Sequence, residues 1–395
     1  LELVNMNFST NSSLYAPFVN DCISGNESVE CYEYRQNISP IFEGVIYFVY
    51  GSIFLFALFG NGIVCYIVCS SPRMRTVTNY FIVNLAVGDI LMTCFCIPFS
   101  FVPVLLLQYW PFGPELCPVV SYSQAVSVMV SAYTLIAISI DRYIAIIYPL
   151  KPRMTRLQAK VTIFFVWLFA LLTALPIAIV TKLVQPMNDR WFSCCDKSMC
   201  MEEWSDQDNR YYYSMALLFL QYFIPLTALI VTYTRIAIVV WGKKTPGEAE
   251  DSRDQRMAKS KRKMVLMLVI CVMSFTILWL PFNVFILAME LFPEITTHTH
   301  IQYMWFIVHS LAMAHSMTNP AIYVWMSTKI RDHFLVILGT LPGMGSIVTK
   351  CRRPERGRST KTGQQMSTRK FDGTTSRTEK LRITKVAQRA NETVI

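Results

Sequence analysis

The sequence predicts an all-α membrane protein: a seven-transmembrane helix bundle followed by a short amphipathic helix on the membrane surface. Three observations carry this. Of 395 residues, 53% are hydrophobic and 16% charged, too little charge for a soluble chain of this size. The apolar residues are gathered into runs of bilayer length, at about 44–69, 79–106, 117–147, 159–182, 211–241, 263–290 and 301–326. Basic residues gather in every second connection between those runs. No internal repeat stands out, which weighs against the inverted-repeat transporters.

Residues 1–43 form a polar tail. Asn7-Phe8-Ser9, Asn11-Ser12-Ser13, Asn26-Glu27-Ser28 and Asn37-Ile38-Ser39 each match the glycosylation acceptor pattern. One match is close to chance; four in a short tail point to a glycosylated extracellular or lumenal end. The bundle follows over 44–326. Its connections carry Arg73 and Arg75, then Lys151, Arg153, Arg156 and Lys160, then a cluster from Lys243 to Lys263. The positive-inside rule puts these in the cytosol, with the N-terminus outside and the C-terminus inside. The net charge of +10 is therefore largely cytosolic. It suits an anionic lipid leaflet and calls for no nucleic acid partner.

The third run organises the bundle. Gln124 and Arg142 lie ~27 Å apart on a helix, close to the hydrocarbon thickness of a bilayer, and face the same way. Ser131 falls near the same stripe. Lipid would leave such groups unsatisfied, so the stripe should face protein. A tilted helix with charges marking the interface would account for Asp141 and Arg142, but not for Gln124 and Ser131. Asp89 is a carboxylate in mid-span and needs partners; a hydrogen-bonded or protonated Asp would serve as well as one holding an ion. Pro225, Pro281 and Pro320 break intrahelical bonds and permit kinks.

After the bundle, 327–340 reads as the surface helix. Ile330, Phe334, Ile337 and Leu338 recur at helical spacing opposite Lys329, Arg331 and Asp332. Residues 341–395 are rich in Ser, Thr, Arg and Lys and read as a disordered cytoplasmic tail. Its Ser359, Thr360, Ser367, Thr374, Thr375 and Ser376 offer phosphorylation sites, and Cys351 a palmitoylation site. Of twelve cysteines, Cys65, Cys69, Cys94, Cys96 and Cys271 fall in spans, as small apolar side chains. Cys22, Cys31, Cys117, Cys194, Cys195 and Cys200 fall outside, an even number in an oxidising compartment, with the pairing open.

Motifs in order along the chain resemble the rhodopsin-like G-protein-coupled receptors. They are Gly60-Asn61, Leu85-Ala86-Val87-Gly88-Asp89, Asp141-Arg142-Tyr143, Trp167, Pro225 with Tyr233, Trp279-Leu280-Pro281 and Asn319-Pro320-Ala321-Ile322-Tyr323. Pro72-Arg73-Met74-Arg75-Thr76-Val77-Thr78-Asn79, Tyr109-Trp110-Pro111-Phe112-Gly113 and Cys200-Met201-Glu202-Glu203-Trp204 resemble the neuropeptide Y-like peptide receptors. Ser121 to Val128 and Asp254 to Lys263 look closest to the insect RYamide receptors. Leu278 stands where the family usually has Cys.

The resemblance implies a receptor for an amidated peptide, not an enzyme. It implies heterotrimeric G proteins, arrestin, receptor kinases and membrane lipid as partners. It implies a Cys117–Cys200 disulfide, and a ligand's carboxamide received by Ser100, Gln124 and His309, with Gln221 adding a contact. Glu290 stands where an acid pairs with an arginine near the peptide's end. Read alone, Glu290 marks the lipid boundary equally well, and His309 could be a packing histidine. Arg142, with Asp141 and Tyr143, would engage the G protein when the sixth span swings out, with Leu150 as a further contact. Tyr233, Trp279, Pro281, Asn319, Pro320 and Tyr323 would transmit the change. No resident cofactor is implied beyond an allosteric sodium ion on Asp89 and Ser131; His315 stands where the family often has Asn. A neuropeptide FF-like or tachykinin-like peptide is the alternative ligand.

Other classes lack their chemistry in this sequence. An intramembrane aspartyl protease needs a second aspartate facing Asp89, and Asp141 lies at the far end of its span. No His-Glu-x-x-His zinc motif and no serine nucleophile elbow is present. A multi-pass transporter would show paired broken spans.

Overall fold

Pro40 opens the first helix, where its missing N–H would have had no partner anyway, and the helix runs Pro40–Ser70. This is a computed structural model, describing residues 38–186, 192, 195–242, 252–298 and 300–340. The four glycosylation motifs' asparagines, Cys22, Cys31, Cys194, Cys351 and the tail from 341 lie outside the described residues.

The second span is Val77–Phe101, started by Thr76, whose hydroxyl accepts from the Asn79 N–H, and continued by a π turn, Val102–Leu106. The third is Leu116–Ile147 and the fourth Arg156–Val180. A capping box starts the fourth: Thr155 and Gln158 satisfy each other's backbone N–H groups. The fifth comprises Gln207–Leu218, a π turn Phe219–Phe223 and Ile224–Gly242. The sixth is Ser252–Leu291 and the seventh Ile301–Met326. Thr328–Thr340 is the surface helix, with Ile330 buried and Phe334 and Ile337 packed on the core.

Six of these helices are long and apolar enough to cross a membrane by length and composition. Ile301–Met326 is long enough but more polar, because it carries Gln302, His309, His315, Ser316 and Asn319, all buried toward the bundle. The exterior fits lipid. Phe48, Phe56 and Phe164 are 76%, 68% and 61% exposed, whereas Asn61, Asp89, Ser131 and Asn319 are 0% exposed. Water would invert that distribution. The third span is central: 72% of its apolar window is buried, against 17% for the fourth.

Polar bonds tie the spans together. Asn84 donates to Thr134 at 2.7 Å and accepts from the Trp167 indole at 2.9 Å, joining spans two, three and four. Asn61 donates to the Ser316 carbonyl at 2.8 Å, joining one to seven.

One element is absent from the sequence expectation. Strands β1 (Thr181–Val184) and β2 (Met199–Glu202) pair antiparallel, Leu183 opposite Cys200. Cys117 and Cys200 form a disulfide with their Cα atoms 5.5 Å apart, which pins β2 to the start of the third span. Cys195 is also disulfide-bonded, while Cys65, Cys69, Cys94, Cys96 and Cys271 are free thiols.

Candidate functional site: a walled cavity and a tethered arginine

At the Cys117 end a cavity opens among spans two, three, five, six and seven, with β2 along one wall. Ser100, Gln124, Gln221 and His309 all line it, so four of the five expected ligand residues are brought together. Gln124 donates its amide to the Phe95 carbonyl at 2.9 Å, which orients the side chain and leaves its carbonyl oxygen as the accepting end. His309 is gripped rather than loose. Its Nδ1 lies 2.6 Å from the Tyr50 hydroxyl, and its ring stacks on Trp305 with centroids 4.3 Å apart. The Tyr50 hydroxyl can donate to Nδ1 or accept from it, so the tautomer decides whether Nε2 offers a hydrogen or a lone pair.

Gln221 owes its place to a backbone device. Pro225 has no N–H, and its ring clashes with the carbonyl of the residue four back, which is Gln221. The helix relaxes into the π turn there, a distortion that re-aims side chains. The Gln221 amide nitrogen is buried without an acceptor among the described residues. The Trp279 and Trp305 indole nitrogens and the Thr181 hydroxyl are in the same condition, and all four residues line the cavity. Indole N–H groups only donate, so this wall favours a ligand rich in acceptors such as peptide carbonyls.

Glu290 differs. It does not line the cavity; its carboxylate receives both terminal nitrogens of Arg210, at 3.2 and 3.3 Å. The cavity wall carries another acid, Glu202, which accepts from the Trp204 indole at 2.9 Å. The sequence reading gives Glu202 no binding role. Strand alternation could have found it, because Glu202 shares a strand face with Cys200, whose partner is on the third span. Tyr50 and Trp305 are also absent from the expectation.

Below the cavity Asp89 is fully buried. Its Oδ2 accepts from Asn319 Nδ2 at 2.8 Å and its Oδ1 from the Ser131 hydroxyl at 3.4 Å. His315 Nδ1 lies 3.9 Å from the same Oδ1. Pro281 and Pro320 stand inside their helices, and Trp279 and Tyr323 are buried.

At the other end Arg142 is held on three sides. It donates to Asp141, through Nε at 3.0 Å and through Nη2; Nη2 also meets the Thr78 hydroxyl, and Nη1 lies 3.4 Å from Met264 Sδ. Asp141 is the neighbour of Arg142 in sequence, whereas Thr78 comes from the second span and Met264 from the sixth. Tyr233 is buried nearby in the core, its hydroxyl without a partner among the described residues. Tyr143 packs edge-on against Tyr148, and Leu150 stands 98% exposed just beyond.

This architecture is a bundle of seven long helices with a cavity at one end and a tethered arginine at the other. The chain matches the seven-transmembrane receptor model of the rhodopsin family over residues 60–323, and it belongs to that family. It is 54% identical over 307 residues to the RYamide receptor of Drosophila melanogaster, covering 78% of this chain and 66% of that protein. To the RYamide receptor of Tribolium castaneum it is 50% identical over 306 residues, covering 76% and 82%. To the tachykinin-like peptides receptor 99D of Drosophila melanogaster it is 36% identical over 294 residues, covering 73% and 56%. Relatives of this kind are receptors, and the chain is not an enzyme.

Proposed function

We propose that the chain is a plasma-membrane receptor for a peptide ending in Arg-aromatic-amide, with its N-terminus outside and its C-terminus in the cytosol. Bound peptide activates heterotrimeric G proteins at the Arg142 end. The observation that carries this reading is the cavity wall itself. Gln124 presents an acceptor, His309 a ring nitrogen and Ser100 a hydroxyl, a neutral polar set that complements a carboxamide. The greater identity to relatives named for RYamide than to the one named for tachykinin-like peptides favours an arginine before the terminal aromatic residue. Phosphorylated Ser and Thr of the tail, outside the described residues, recruit arrestin after receptor kinases act.

Activation follows from differential binding: the peptide favours the state in which the sixth span has moved outward. That movement separates Met264 from Arg142 and uncovers the Nη1 side of the guanidinium for the G protein.

The test is nucleotide exchange on G proteins in membranes carrying the receptor, driven by an amidated Arg-Tyr peptide or its free acid. The amide should drive exchange. The free acid should need ~10–100-fold more peptide, the scale of an uncompensated charged contact. Equal potency of amide and acid would overturn the carboxamide reading, and no exchange with either would overturn the ligand class.

A further inference from the structure

The family resemblance places a sodium ion against Asp89, and the side chains present do not fit one. A hard cation needs several oxygen atoms turned toward it. Here hydrogens converge instead. Asn319 Nδ2 donates to Oδ2 at 2.8 Å, and the Ser131 hydroxyl donates to Oδ1 at 3.4 Å. Gly88 leaves room for this hydroxyl: a Cβ there would lie 2.7 Å from its oxygen.

His315 supplies the deciding contact. Its Nε2 lies 3.3 Å from Asn319 Nδ2, the same amide nitrogen that holds Asp89. An amide nitrogen has two hydrogens and cannot accept. One hydrogen is spent on Asp89, so the other points to His315 Nε2, which must be the accepting nitrogen. A neutral imidazole that accepts at Nε2 carries its hydrogen on Nδ1. Nδ1 is the atom 3.9 Å from Asp89 Oδ1, and it has no other partner among the described residues. The Phe275 ring stands edge-on to the imidazole, centroids 5.1 Å apart, and limits its rotation. Both Asp89 and His315 are 0% exposed.

We infer that His315 excludes sodium from the Asp89 site, its Nδ1–H standing where a cation would sit, so that this receptor's conformational equilibrium is independent of sodium. The side chain responsible is one residue, and shortening it to Asn replaces a fixed N–H with a group that can turn a carbonyl oxygen inward.

The experiment is thermal unfolding of the purified full-length receptor in detergent, in sodium, potassium or choline chloride at equal ionic strength. The wild-type midpoint should be the same in all three salts. The His315→Asn midpoint should rise saturably with sodium alone. His315→Ser serves the same purpose if His315→Asn does not yield folded receptor. A sodium-only rise in the wild type overturns the inference without any variant. Variants that fold but gain no sodium response also overturn it, because His315 would then not be the excluding group.

Discussion

Arg210 occupies the carboxylate of Glu290, the acid that the family resemblance offers to a ligand's arginine. An incoming guanidinium must therefore displace or share that partner. Arg210→Ala should strengthen an Arg-bearing peptide while leaving its citrulline analogue unchanged. Glu290→Gln should weaken the Arg-bearing peptide by ~1.5–3 kcal/mol and spare the analogue. Competition binding on membranes measures all four combinations; losses shared by both peptides would make the Arg210–Glu290 pair purely architectural. Tyr50→Phe tests the grip on His309. It leaves a buried ring nitrogen without its partner, a cost of ~1–3 kcal/mol, and should weaken amide and free-acid peptides unequally, the amide more. A similar loss for both would remove His309 from carboxamide recognition. Gln124, Ser100 and His309 are legible as cavity-lining residues because each stands at a family position, Gln124 also on the polar stripe of the third span. The Tyr50–His309 bond is not, because its partners are 259 residues apart and meet only when span one packs on span seven.

Helices announce themselves by length and apolarity, so all seven spans and the surface helix are legible, with ends displaced by a few residues except in the sixth, which starts at Ser252 rather than 263 because its first turns are charged. The β1–β2 hairpin is not: four-residue strands in a mixed-charge loop carry too little pattern. The π turns are half legible. Pro103 and Pro225 mark where regular bonding must fail, but whether the helix kinks or widens depends on its neighbours. Close packing of the first span on the seventh is legible only as Gly60 and Pro320. A Cβ at Gly60 would lie 2.8 Å from the Pro320 ring, whereas one at Gly44 would meet nothing within 4 Å. Gly60→Ala should therefore destabilise the receptor by ~1–3 kcal/mol through overpacking. Gly44→Ala on the same helix should be neutral or stabilising by up to ~1 kcal/mol, since alanine is the better helix former. Thermal unfolding of the two purified variants decides; equal midpoints would mean that Pro320 yields.

The third span joins the two working ends, with Gln124 in the cavity wall and Arg142 in its three-sided hold. The partners of Arg142 come from different spans. Asp141 belongs to the third and Thr78 to the second, and neither need move when the sixth span swings out. Met264 belongs to the sixth, so its contact is the one that an outward movement breaks. A receptor held at rest by such a contact behaves as a two-state molecule, and a weakened tether shifts the populations without any ligand. If the contact stabilises the resting state by about 1 kcal/mol, Met264→Ala raises ligand-free nucleotide exchange ~5-fold. Met264→Leu keeps the volume but lacks the sulfur acceptor, so it should raise basal exchange nearly as much. If Leu behaves like the wild type and Ala does not, packing rather than the arginine contact restrains the sixth span. Arg142→Ala gives the opposite phenotype: the variant should reach the surface and bind peptide, yet fail to drive exchange. Normal coupling by that variant would move the coupling role away from Arg142, and an unchanged basal rate in both Met264 variants would remove the tether from the mechanism.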